Sequence, residues 1–190
     1  MRLPPLAPAS LTPEQRALSD DMRAGIATGY QGFITERADG ALLGPWNPWL
    51  HQPDIGAAVW ALTKALSARS VLSSSVRQVA ILVVGARFKA AYELYAHLAV
   101  AAQDGISETK LTTITCGHRP PGMTTDEALA YDIASVLSAG GVLPDPAYHR
   151  AVAAWGERGM AELASLIGLY CMVSVALNAY NVPVPERTPM

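Results

Sequence analysis

The stretch from Ser75 to Thr109, SVRQVAILVVGARFKAAYELYAHLAVAAQDGISET, constrains the fold more than any other part of the chain. Apolar residues recur at three- and four-residue intervals, first at Val79, Leu82, Val83 and Ala86, then at Leu94, Leu98 and Ala101. That is the periodicity of a helix buried along one side. Gly85 interrupts the first run, and Asp104-Gly105 closes the second in the manner of a left-handed cap. The pattern predicts two helices, or one bent helix, with the break between Gly85 and Lys89. On the second helix Glu93 and His97 stand four residues apart and therefore share a face.

The rest of the chain reads as helices separated by Pro- and Gly-rich breaks. Residues 1–12 are Pro-rich and read as a flexible or extended arm. Thr12-Pro13-Glu14-Gln15 is a helix start, with Thr12 as N-cap, Pro13 at the first helical position and Gln15 at the capping-box position. That helix should run to about Thr28 with Leu18, Met22 and Ile26 on one side. Gly40 to Pro53 holds three prolines, two glycines, Trp46 and Trp49, which excludes a long helix. Helices are then expected from about Ile55 to Ser67, from Ser107-Glu108, after the Thr124 cap, from Asp145 to Ala154, and from Ala161 to about Tyr180. No stretch alternates with period two, so the fold class is all-α, and with no internal linker residues 1–190 form one domain.

Composition bears on assembly and partners. The chain is 51% hydrophobic but only 16% charged, against about 25% charged for an ordinary soluble domain. A 190-residue subunit struggles to hide that much apolar surface, which predicts a homo-oligomer. The net charge of -2 and the lack of a basic cluster argue against nucleic acid. Leu163 to Ala179 is nearly apolar but shorter than the roughly 20 residues of a membrane span, so it reads as a buried helix at a subunit contact. With no signal sequence, and with Cys116 and Cys171 far apart, the chain is expected to be cytoplasmic, without disulfides and without a membrane partner.

Several constellations are candidates for chemistry. Glu93 and His97 can act as a proton-transfer pair, the carboxylate favouring the charged imidazole. The alternative is a solvated helix-surface ion pair. Tyr92, Leu94, Tyr95, Leu98 and Ala99 leave little of that helix to face water, which favours an enclosed pair. A metal site is not expected, since HExxH is absent and His51, His118 and His149 are scattered. Arg87 and Lys89 can present positive charge beside a helix terminus, or simply flank a turn in water. Trp46, Trp49 and His51 can line a pocket, or the tryptophans can fix an irregular loop. Asn178 either caps a neighbouring segment or faces a cavity. The GxSxG, Walker A, GxGxxG and kinase signatures are absent, so the expected site is cofactor-free.

Taken together, GPWNPWLHQPDIG, then RQVAILVVGA, then AAYELYAHLAVAAQDGIS resembles the carboxymuconolactone decarboxylase family, which shares its fold with the alkylhydroperoxidase D-like proteins. The matching positions are Gly44-Pro45-Trp46, His51-Gln52-Pro53, Arg77, Ile81-Leu82, Tyr92-Glu93, His97 and Gly105-Ile106-Ser107, and the C-terminal IGLYCMVSVALNAYNVPVP resembles the closing helix of longer members. The resemblance implies an all-helical subunit forming trimers or hexameric rings, with Glu93 and His97 in a cavity between helices. The peroxidase branch carries CxxCxxxH on this helix. Aligned on His97, its cysteines fall at Ala90 and Glu93, and its proton-relay glutamate falls at Gln78.

The activity this implies is a cofactor-free lyase acting on a small carboxylated lactone or cyclic acid. His97 is then the expected proton donor and Glu93 the group that orients it. Arg87 or Lys89 would hold the carboxylate, and Trp46, Trp49 and Tyr92 would be apolar walls. A ligand-binding oligomer without catalysis is the alternative. Antioxidant peroxidase activity, the third reading, needs Cys116 or Cys171 near His97.

Overall fold

The computed structural model describes residues 1–186. It is all-α, with eight helices among those residues and a single isolated β-bridge between Glu36 and Leu42. Helix α1 (Pro13–Gly29) starts on the expected capping box: Gln15 N donates to Thr12 Oγ1 and Thr12 N donates to Gln15 Oε1. It buries Leu18, Met22 and Ile26. The Trp-rich stretch folds as a short helix, α2 (Trp46–His51), running directly into α3 (Pro53–Ala68).

Helix α4 (Ser74–Phe88) is the hub. Every residue from Gln78 to Gly85 is buried, and α5 (Ala91–Gln103), α6 (Glu108–Thr115), α7 (Thr125–Ser138) and α8 (Asp145–Ala179) all pack on it. The break falls at the end of the expected interval, at Lys89, which is left-handed (φ 52°, ψ 39°). Ala90 N reaches back to Gly85 O and Lys89 N to Ala86 O, closing the helix. Gly85 itself stays helical. Its lack of a side chain serves packing, because a Cβ there would meet Leu94 Cδ2 at 3.0 Å. The chain therefore reverses within two residues, and α4 and α5 form a tight hairpin.

Two expectations need correcting. The arm is extended but tied down: Leu6 N donates to Asn47 Oδ1, Asn47 Nδ2 donates to Pro4 O, and Arg2 N donates to Tyr180 O. Asn47 is fully buried, and the arm supplies its partners. The gap expected between Ala154 and Ala161 is also helical apart from Gly156 (φ 69°, ψ 172°), where α8 breaks locally. By length and composition α8 could cross a membrane (mean hydropathy 1.8 over its most apolar 18-residue window), and half of that window is buried within the subunit.

Candidate active site

Four helices turn polar faces toward one cleft. Trp60, Thr63, Lys64 and Ser67 come from α3, Ser74, Arg77, Gln78 and Ile81 from α4, and His97, Val100 and Asp104 from α5. Within α3 and within α4 the spacing is i, i+3, i+4, i+7, the stripe a helix presents on one side. Gly25, Thr28 and Gly29 of α1, with Tyr30 and Tyr170, complete a cavity of about 530 Å³. Gly25 is required for this closure, since a Cβ there would sit 2.4 Å from Trp60 Cζ2.

Behind the cleft lies a much smaller recess of about 30 Å³, bordered by Phe33, Trp46, Trp49, Tyr92, Glu93 and Val173. That is room for a water molecule. Tyr30, Thr63, His97 and Tyr170 line both spaces. The aromatic wall is interlocked: Trp46 packs edge-on to Tyr30 and parallel to Phe33. Gly44 (φ 61°) lets the incoming loop lie on the Tyr92 ring, where a Cβ would come within 2.3 Å of Cε1.

His97 joins the two spaces. Both it and Glu93 are buried, with 7% and 4% of their side-chain surfaces exposed, so this is not a solvated surface pair. His97 Nδ1 lies 2.8 Å from Gln78 Oε1. An amide oxygen only accepts, so Nδ1 carries a hydrogen. His97 Nε2 lies 3.1 Å from Glu93 Oε1. With Nδ1 protonated, two lone pairs would oppose each other there unless the pair holds one further proton. The contact lacks hydrogen-bond alignment, and Glu93 Oε1 has no hydrogen-bond partner. The carboxylate and the ring therefore meet without a directed bond. Tyr170 packs edge-on to the imidazole, centroids 5.0 Å apart.

The surrounding phenols stay neutral. Tyr30 is pushed up to about 12 by burial first and the Glu93 charge second, with Arg77 opposing. Burial, then Tyr30 and Glu93, raise Tyr170 well above the usual phenol value, again against Arg77. Burial, Tyr95 and Glu93 raise Tyr92 as well. The Tyr92 hydroxyl donates to Ile34 O at 2.8 Å and the Tyr95 hydroxyl accepts from Ile34 N at 2.9 Å, so these two anchor the loop.

Of the residues singled out by sequence, Glu93, His97, Trp46, Trp49 and Tyr92 converge here. Arg87 and Lys89 do not: both are exposed and line a separate cavity with Cys116 and Tyr131. The reason is helical phase. Nine residues separate Arg87 from Gln78, roughly 13 Å of rise and about half a turn out of register. His51 instead holds the arm, its Nε2 2.9 Å from Pro4 O. Asn178 donates to Phe88 O at 2.7 Å and so caps the end of α4. Neither cysteine lines the spaces at His97, and among the described residues no three His, Cys, Asp or Glu side chains gather to hold a metal. Sequence reasoning missed Tyr30, Thr63 and Trp60, and missed what Gln78 and Arg77 do. The polar i, i+3, i+4, i+7 stripes on α3 and α4 were the available signal.

Solved structures identify the architecture. An uncharacterized peroxidase-related protein from Ralstonia eutropha JMP134, described as an alkylhydroperoxidase AhpD core, superposes with a TM-score of 0.76 at 13% identity, covering 97% of this chain and 92% of that one. The fold is AhpD-like. The same AhpD-like fold appears in a cysteine-to-alanine variant of the debrominase Bmp8, in complex with 2,3,4-tribromopyrrole (TM-score 0.71, 14% identity, 97% and 92% coverage). No protein-family model and no curated protein matches the sequence.

Proposed function

We propose that this AhpD-like chain is a cofactor-free lyase that removes CO2 from a small carboxylated lactone or related cyclic acid by proton transfer. One observation carries the reading: a buried imidazole, held by Gln78 at Nδ1 and facing Glu93 at Nε2, forms part of the wall of a cleft large enough for a small ring. Cleavage of the C–C bond to the carboxyl leaves its electron pair on the ring as an enolate. The Nε2 proton of His97 passes to the carbon, CO2 departs, and the neutral imidazole regains a proton from water in the cleft. Glu93 and Gln78 flank the two ring nitrogens and keep the imidazole plane fixed.

The Bmp8 complex, with a small planar ring as its ligand, suits a cleft walled by Tyr30, Trp60 and Tyr170. A thiol peroxidase finds less support, since neither Cys116 nor Cys171 lines the spaces at His97, and burial pushes the Cys171 thiol up, away from the reactive thiolate. An oligomer belongs to the same proposal, because Ile55, Leu62, Met172 and Val175 are left exposed on the subunit.

The test is CO2 release from a panel of small lactone acids by the wild-type protein and by His97→Gln. The substitution should slow an authentic substrate about a hundredfold or more. Equal rates would remove His97 from the reaction.

A further inference from the structure

The cleft carries a positive charge that forms no ion pair among the described residues. Arg77 stands on α4 immediately before Gln78, on the cleft-facing stripe with Ser74 and Ile81. Its Nε is buried and has no hydrogen-bond acceptor. Its one side-chain bond is a long one, Nη2 to Ser67 Oγ at 3.4 Å. Among the described residues no carboxylate lies within ion-pair distance of it, whereas Arg23, Arg37 and Arg119 each have one. Of the other charged side chains lining the cleft, Lys64 pairs with Asp21, and Asp104 keeps its charge while accepting the Ser74 hydroxyl.

A second donor is in the same condition. Trp60 Nε1 is buried without a partner, and Trp60 lines the same cleft. A buried donor left unpaired costs about 1–3 kcal/mol. Both nitrogens are closed off from the cavity, so a ligand there would meet Arg77 at its terminal nitrogens. The two phenols flanking His97 report how near the guanidinium is, since Arg77 draws down both Tyr30 and Tyr170 while Glu93 raises them. Tyr30, Trp60, Ile81, Val100 and Tyr170 offer apolar contact between the cation and the imidazole.

We propose that Arg77 is the anion-binding pole of this cleft, pairing with the carboxylate of a small cyclic acid so that its ring lies between the guanidinium and His97. This rests on the proton-transfer reading of the same site, and moves the role expected of Arg87 and Lys89 to the other end of α4. A planar guanidinium pairs with a carboxylate through two parallel N–H bonds, which fixes direction as well as charge. The acid group so held is one that the reaction leaves in place, since pairing a departing carboxylate would stabilise the ground state and slow its loss.

The probe is benzoate, with benzamide as its neutral counterpart, titrated calorimetrically. Wild type should bind benzoate at least tenfold more tightly than benzamide. Arg77→Met should erase that preference, and Arg77→Lys, which keeps the charge without the fork, should retain part of it. His97→Gln should keep the preference for benzoate over benzamide, so a failure of the lyase reading, seen in CO2 release, is distinct from a failure here. Absence of a benzoate preference in wild type, or its persistence in Arg77→Met, would overturn the proposal. Should Arg77→Met not fold, an undiminished preference in Arg77→Lys would overturn it equally.

Discussion

The buried Glu93–His97 pair makes a specific prediction for leucine substitutions. At 3.1 Å the attraction of two full charges is about 5 kcal/mol at an effective dielectric of about 20. Desolvation of both groups offsets most of that, so the intact pair adds little net stability while breaking it costs about 3–5 kcal/mol. The two halves are not equivalent. His97→Leu strands Glu93, whose Oε1 has no other partner, and also strands Gln78 Oε1. The expected cost is about 3–5 kcal/mol plus about 1–3 for the amide. Glu93→Leu leaves Nδ1–H on Gln78 and one unpaired ring nitrogen, at about 1–3 kcal/mol. The double substitution leaves only Gln78 unpaired, at about 1–3 kcal/mol. It should therefore be more stable than His97→Leu alone, by about 2 kcal/mol or more. Urea unfolding of the four proteins at one concentration measures this. If the double variant instead loses the sum of the two singles, within about 0.5 kcal/mol, the groups are independent and the shared-proton description is wrong.

Alkaline stability gives a further check. Tyr30 ionises near 10 in the unfolded chain and near 12 in the fold. The unfolded chain therefore loses its proton first, and stability present below pH 10 falls as the pH rises toward 12. Tyr30→Phe should flatten that part of the Tm–pH curve, and an unchanged slope would mean that the phenol is not buried beside Glu93. Removing the partner of the N-terminal arm is equally direct: Asn47→Ala should cost about 1–3 kcal/mol, and exchange of the Leu6 amide should quicken at least tenfold. Unaltered Leu6 protection would mean that Asn47 does not hold the arm.

Capping signals made much of the fold legible before the structure. The Thr12 and Thr124 boxes and the Gly105 turn are local chemistry, and each appears where the residues put it. Legibility failed where distant packing decided the outcome. The break was bracketed between Gly85 and Lys89 but not fixed: it falls at Lys89, which is left-handed, while Gly85 stays helical and bare against Leu94. Gly156 and Gly159 looked like a loop, yet Gly159 is a buried helical residue packed on Trp155 and Leu72. For the site, the Glu93–His97 spacing was readable because it lies within one helix. The Gln78 contact spans 19 residues and needs the hairpin. The cation at the cleft could not be chosen from spacing either, since Arg77 and Arg87 stand at opposite ends of α4 and the packing of the other helices decides which end meets the cleft.

That hairpin divides the labour of the molecule. Gln78, Glu93 and His97 all belong to α4 and α5, joined by two residues, whereas Trp46, Trp49, Phe33, Trp60 and Tyr170 arrive from segments far away in the chain. The groups that handle the proton therefore assemble from short-range contacts, which form early in folding and need few other parts in place. Pocket shape is set separately. A protein engineer could redraw the walls for a different ring while leaving the proton-handling unit untouched.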